Sequence, residues 1–231
     1  MENTGTPFND EELNASRERT PTVLVLDTSG SMDTEVTGSE DRRIDRLNNG
    51  LEFFKEEISQ NQVASKKIDI SIVTFGGEKA RVKQEFTQIN NWNPPRLFSS
   101  GKTPMADAIE EAIDRVHGVK QVYKEKGIIY NRPFIWLISD GLPDMDRGSD
   151  RWKRIQKQLE VGTPPNGKKF EFLAFAIEGT SINNLNDLVK DTNYNAEELN
   201  PGRFEQFFEF LSNSVEANEV QNEEFGFDQL D

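Results

Sequence analysis

Five oxygen-bearing side chains stand at spacings that could hold a small hard cation. Asp27, Ser29 and Ser31 occupy alternate positions of "DTSGS", directly after the apolar run "TVLVL". Thr103 lies in "SSGKTPMAD", ahead of a helical pattern, and Asp140 in "LISDGLPD", directly after "FIWLI" and with Asp144 close behind. A turn uses Gly, Asp and Ser for backbone reasons alone, so one such loop is weak evidence of a site. Three in register at strand ends, with no His or Cys nearby, point to a cation. Hydroxyls and carboxylates suit hard ions, and Mg²⁺ keeps several waters while taking few direct protein ligands; Mn²⁺ accepts the same donors. In that arrangement Ser29, Ser31 and Thr103 offer neutral oxygens. Asp27 and Asp140 hold the outer waters and orient the hydroxyls. A metal with a largely neutral inner shell stays strongly electrophilic, and gains from one more anionic oxygen supplied from outside.

Composition removes most other chemistries. The chain has no cysteine and one histidine, His117, which excludes disulfides, thiol nucleophiles, Cys-based zinc sites and iron–sulfur clusters. His117, in "DRVHGVK", reads as an exposed residue near the end of a helix that stops before Gly118, where a cationic side chain is favoured. With 27 basic against 41 acidic residues the net charge is −14, a balance that repels phosphate backbones and anionic membranes. No nucleic-acid or membrane partner is expected. The apolar runs are too short for a transmembrane helix. The polar, acidic opening "MENTGTPFNDEELNAS" resembles neither a signal nor a transit peptide, so a cytoplasmic location is expected.

The elements that must position these oxygens alternate between strand and helix, which predicts an α/β fold around a mainly parallel sheet. Strands are expected at Thr22–Leu26, Ile68–Phe75, Phe134–Ser139 and Phe170–Ile177, apolar almost throughout, as strands covered on both faces are. "ARVKQEF" (Ala80–Phe86) alternates instead, with Val82 and Phe86 on one face and Lys83 and Glu85 on the other. It follows "FGGEK", which reads as a hairpin leading to an antiparallel edge strand. A short last strand is expected near Asn193–Glu197. Ile44, Leu47, Leu51, Phe54 and Ile58 recur at helical steps. So do Met105, Ala108, Ile109, Ala112, Ile113 and Val116, behind Pro104, a residue suited to a first helical turn. Further helices are expected at Asp150–Leu159, Ser181–Val189 and Gly202–Val215. In an open α/β sheet, ligands collect at the carboxyl ends of the strands, and all three oxygen-bearing loops fall there.

Asp27-x-Ser29-x-Ser31, with Thr103 and the "SDG" of Asp140, resembles the metal-ion-dependent adhesion site of von Willebrand factor type A (VWA) domains. The resemblance runs from about Thr20 to Ala217 in element order as well as motif. "PTVLVLDTSGSM", "RLNNGLEFF", "GKTPMADAI" and "ISDGLPD" look most like the bacterial tellurium-resistance-associated TerY and YegL-like branch. It implies a Rossmann-like VWA domain over residues 20–217, between an N-terminal extension (1–19) and an acidic C-terminal tail (218–231). It also implies metal roles for Asp27, Ser29, Ser31, Thr103 and Asp140. The implied function is capture of a partner protein's Glu or Asp carboxylate by bound Mg²⁺, in an adaptor of a stress or defence system rather than an enzyme. One departure is the insertion "DTEVTGSEDRR" (Asp33–Arg43), longer than expected after the motif and placed to alter what docks there. The tail, with Glu223, Glu224, Asp228 and Asp231 beside Phe225 and Phe227, suggests self-association by offering carboxylates to the same site.

Other readings fit less well. "GKT" at Gly101–Thr103 suggests a P-loop, but that motif needs a glycine where this chain has Arg96, and a strand directly upstream. A dinucleotide fold fails because "DTSGSM" lacks G-x-G-x-x-G. A serine hydrolase needs a base for Ser29 or Ser31, and His117 lies away from the strand ends. A metal-dependent hydrolase acting on phosphoesters stays open, since a bound cation can activate water, although no second carboxylate cluster or clear general base accompanies the site. An ordinary α/β domain with polar turns is the remaining alternative.

Overall fold

The structure, a computed structural model, describes residues 18–36, 39–60, 64–140, 143–177 and 182–199. Among these residues six strands form one sheet: β1 (Thr20–Asp27), β2 (Ile68–Gly76), β3 (Lys79–Gln88), β4 (Phe134–Ser139), β5 (Glu171–Ile177) and β6 (Glu197–Leu199). Their spatial order is β3-β2-β1-β4-β5-β6. Among the described residues only the β2–β3 pair is antiparallel. The helices are α1 (Arg43–Gln60), α2 (Ala64–Lys67), α3 (Met105–Glu125), α4 (Asp150–Gly162) and α5 (Ile182–Val189). The chain builds outward from β1 to β2 and β3, then crosses back to place β4 on the other side of β1. The sheet therefore has its switch point between β1 and β4, where an open α/β sheet presents a crevice.

Strand residues alternate between two cores. Val23, Val25, Ile135 and Leu137 pack with the apolar faces of α3, α4 and α5. Leu24, Leu26, Trp136 and Ile138 pack with α1. Burial on both faces explains why these strands read as unbroken apolar runs. β3 differs because it is an edge: Lys79, Arg81, Lys83 and Glu85 are exposed while Phe86 is buried.

Three expectations shift. Pro104 lies just outside α3 as its N-cap, with the helix beginning at Met105. The last strand is Glu197–Leu199, displaced toward the C-terminus of the expected segment. Gly118 does not end a helix: α3 continues to Glu125, burying Val119 and Tyr123. A mid-helix glycine costs about 1 kcal/mol, less than two buried side chains return. His117 is thus an exposed mid-helix residue. Lost hydration, with Lys120 and Lys169 nearby, lowers its pKa, which is the reverse of a helix-end cation. The expected helix Gly202–Val215 and the acidic tail lie outside the described residues.

Candidate metal centre

β1 ends at Asp27 and β4 at Ser139, on adjacent strands, so the switch point brings the "DTSGS" loop against Asp140. Asp27 is fully buried and Asp140 and Ser29 nearly so. Asp27 accepts hydrogen bonds from the Ser29 amide at 2.8 Å and the Ser139 hydroxyl at 2.7 Å. The Asp140 amide approaches its Oδ2 at 3.4 Å. Ser29 and Ser31 hold their Oγ atoms 3.0 Å apart, and the Ser31 hydroxyl donates to Asp140 Oδ2. The turn that presents them, Gly30–Asp33, is anchored by the fully buried Met32.

The electrostatics of this cluster are one-sided. Burial and the neighbouring Asp140 carboxylate push the Asp27 carboxyl up to about 6, although hydrogen bonds from Ser29 and Ser139 pull it down. Among the described residues no basic side chain pairs with Asp27, whose donors are neutral. Nor do three His, Cys, Asp or Glu side chains there form a ligand group. The convergence is of two carboxylates with hydroxyls.

The loop that carries Thr103 is tied to the "DTSGS" loop through the backbone of its neighbours. The Gly30 amide donates to the Gly101 carbonyl at 3.0 Å, and the Ser100 amide to the Thr28 carbonyl at 2.7 Å. The Thr103 carbonyl accepts from the Met105 amide at 2.7 Å and the Asp144 amide at 3.2 Å, tying its loop to the segment after β4. Four of the five expected residues, Asp27, Ser29, Ser31 and Asp140, are therefore linked by side-chain hydrogen bonds. Thr103 shares no hydrogen bond with these four among the described residues; its loop reaches their side of the sheet through Ser100 and Gly101. No strand leads into "GKT", and Lys102 pairs with Glu78 at the surface, so the loop lacks the strand–loop–helix frame of a P-loop.

Gly101 fixes that loop against the β2–β3 hairpin. It has φ +69°, and a Cβ there would fall 2.4 Å from the Gly77 Cα. Gly77 has φ +82°, but a Cβ on it would meet nothing within 4 Å. Gly101→Ala is expected to cost about 2–4 kcal/mol by thermal melting, from strain plus collision. Gly77→Ala is expected to cost only about 1–2 kcal/mol, from strain alone. The reverse ranking would show that the hairpin yields to the loop.

Ser139 was not legible as a site residue, because one serine closing a strand has no distinguishing sequence signal. The described parts of the insertion fold back on themselves through a Glu35–Arg42 bridge. Arg42 pairs with Asp33 and Asp45, and Ser99 donates to Asp33 at 3.2 Å. These are largely exposed contacts of small energetic weight, but they fix the loop beside Ser31.

No protein-family profile and no curated protein sequence matches the chain significantly. Its fold matches solved structures at low identity. The minor pilin PilB from Streptococcus sanguinis aligns with TM-score 0.58 and 13% identity, over 87% of this chain and 62% of the pilin. The pilus adhesin SpaC from Lactobacillus rhamnosus GG aligns with TM-score 0.62 and 12% identity, over 87% of this chain and 31% of the adhesin. The chain thus spans less than two thirds of either protein. The von Willebrand factor domain of the type V pili tip protein Mfa5 from Porphyromonas gingivalis aligns with TM-score 0.55 and 10% identity, over 87% of this chain and 96% of that domain. These likenesses establish the VWA fold. Among the described residues no helix is long and apolar enough to cross a membrane.

Proposed function

We propose that the protein is a metal-dependent interaction module that captures a partner's Glu or Asp carboxylate through Mg²⁺, or Mn²⁺ in its place. Ser29, Ser31 and Thr103 would supply hydroxyl oxygens, with Asp27 and Asp140 orienting them and the metal's waters. The observation that carries this reading is the buried Asp27 beside Asp140, with Asp27 held by neutral donors alone among the described residues. Two carboxylates so placed favour a cation from outside.

The donor geometry supports it further. Adjacent ligands of an octahedral Mg²⁺ with bonds of about 2.1 Å lie about 3.0 Å apart, and the Ser29 and Ser31 oxygens are separated by 3.0 Å. Bound metal would supply Lewis acidity toward the incoming carboxylate. The protein's part is to keep the two hydroxyls at this spacing, to draw the Ser31 proton toward Asp140, and to exclude water behind Asp27. Adhesin and pilus-tip roles belong to the structural neighbours named above, and they favour binding over catalysis here. A cytoplasmic adaptor role in bacterial stress or defence follows the tellurium-resistance-like motifs. The same capture chemistry extends to self-association through the acidic tail.

Ligand binding to the native state alone raises the melting point. Millimolar Mg²⁺ is therefore expected to raise it, chelator to restore it, and no phosphoester turnover to accompany the metal. Steady turnover lost in Asp140→Ala would replace this reading with a hydrolase. The Thr103 loop runs straight into α3, so Thr103→Ala is expected to weaken partner capture more than metal affinity. Calorimetry on both equilibria checks that order; collapse of metal affinity with unchanged capture at saturating metal would reverse it.

A further inference from the structure

Edge strand β3 places Arg81 and Lys83 on the wall of a cavity of about 260 Å³. Thr28, Thr74, Leu97 and Phe98 line it as well, and no acidic side chain does. Thr28 lies between Asp27 and Ser29 in the chain, so the cavity opens directly beside the candidate metal centre. Among the described residues neither Arg81 nor Lys83 forms an ion pair, although the chain carries a net charge of −14. Phe98 is 73% exposed and also borders a second cavity on the side of the insertion. That second cavity holds Arg42 and Arg96, but Asp33 and Asp45 line it too and pair with them. Among the described residues, the positive charge without an ion-pair partner therefore lies on the β3 side of Phe98.

Cations on an edge strand commonly guard against strand pairing. That role explains neither the cavity at the base of Arg81 and Lys83 nor the bare aromatic ring across from them. We infer that this cleft binds a second carboxylate of an acidic partner segment whose first carboxylate engages the candidate metal centre, while an apolar side chain of the segment covers Phe98. The inference deepens the proposed function and rests on it for the first carboxylate.

The ladder sets the spacing. Leu26 pairs with Thr74 on β2, and Thr74 with Arg81 on β3. Two ladder spacings separate β1 from Arg81, roughly 10 Å, and the candidate metal centre lies on the β4 side of β1, so an extended segment needs at least about three residues to join the two sites. The partner chemistry is thus an acid, at least two intervening residues and a second acid, with an aromatic or aliphatic side chain between or beside them. Charge complementarity selects this occupant over a basic or neutral segment.

A suitable probe is a fluorescein-labelled peptide with the sequence NEEFGFDQLD, found at residues 222–231 of this chain, in which "FDQLD" meets the pattern. Its fluorescence anisotropy would be followed against the full-length protein in saturating Mg²⁺. The double variant Arg81→Glu, Lys83→Glu is expected to weaken binding roughly 10- to 100-fold while keeping the wild-type Mg²⁺-induced rise in melting temperature. Phe98→Ala is expected to weaken it several-fold. Replacing the peptide's last aspartate by asparagine should weaken binding to the wild type but add little in the charge-reversed variant, the mark of a direct pairing.

The outcomes separate the cleft from the metal centre. Binding that needs Mg²⁺ but is equal in wild type and double variant overturns the cleft and leaves the metal centre standing. Binding that needs Arg81 and Lys83 yet ignores chelator and Asp27→Asn supports the cleft and removes the metal centre. Failure of the wild type to bind the peptide, with metal or without, overturns the inference.

Discussion

The Asp27→Asn variant is expected to melt roughly 5–10 °C above the wild type at neutral pH without divalent metal, and to lose the response to Mg²⁺. The reason is a buried charge that no basic side chain among the described residues pairs with. In the folded state the Asp27 carboxyl titrates near 6 instead of 3.8, so the native protein binds this proton more tightly than the unfolded chain does. Stability then falls as pH rises from 3.8 through about 6. Above that window the full penalty, on the order of 3 kcal/mol, is present. Below it both states are protonated and the penalty vanishes. Asparagine keeps an acceptor for the Ser29 amide and removes the repulsion from Asp140. The gain should therefore be large at neutral pH and close to zero near pH 4. Bound Mg²⁺ offsets the same penalty in the wild type, so the two stabilising routes exclude each other. Equal metal-induced shifts in wild type and variant would remove Asp27 from the site.

Asp27, Ser29 and Ser31 were legible because they are close in sequence and because "TVLVL" identifies the strand that delivers them. β4 was legible for a related reason: a strand covered on both faces is a continuous apolar run bounded by polar turns. β6 has three residues and no period, so its place was set by pairing with β5 rather than by its own sequence. Gly118 misled because glycine often stops helices. The outcome depended on Val119 and Tyr123 finding a core that only the folded sheet provides. The Arg81–Lys83–Phe98 cleft was invisible for a third reason. Its walls come from β3 and from a loop that returns to the sheet beside Thr28, and no local pattern records that they face each other.

A second buried carboxylate makes the contrast that defines the site. Asp69, at the start of β2, is fully buried like Asp27, yet it lies at the opposite end of the sheet. Its register partner on β1 is Pro21, six residues and roughly 20 Å from Asp27. There the fold supplies its own cation. The buried Arg19 donates Nε to Asp69 Oδ2 at 2.8 Å and a second nitrogen to Oδ1, and the Tyr123 hydroxyl donates to Oδ2. Burial of Tyr123, and then the Asp69 carboxylate beside it, in turn raise the Tyr123 pKa, which keeps that donor protonated. Breaking such a pair from one side strands a charge, at about 3–5 kcal/mol. Arg19→Met is therefore expected to lower the melting temperature by roughly 10 °C. Arg19→Lys should fall between, because an ammonium cannot reproduce the forked contact. Adding Asp69→Asn to Arg19→Met should recover much of the loss, since the stranded charge goes with it. All three variants should keep the Mg²⁺-induced shift of the wild type, because separated sites add independently. Removing charge from Asp27 is thus expected to stabilise the metal-free fold, and unpairing Asp69 to destabilise it. If Arg19→Met costs under about 1 kcal/mol, burial alone does not set these energies, and the argument that Asp27 awaits an external cation fails with it.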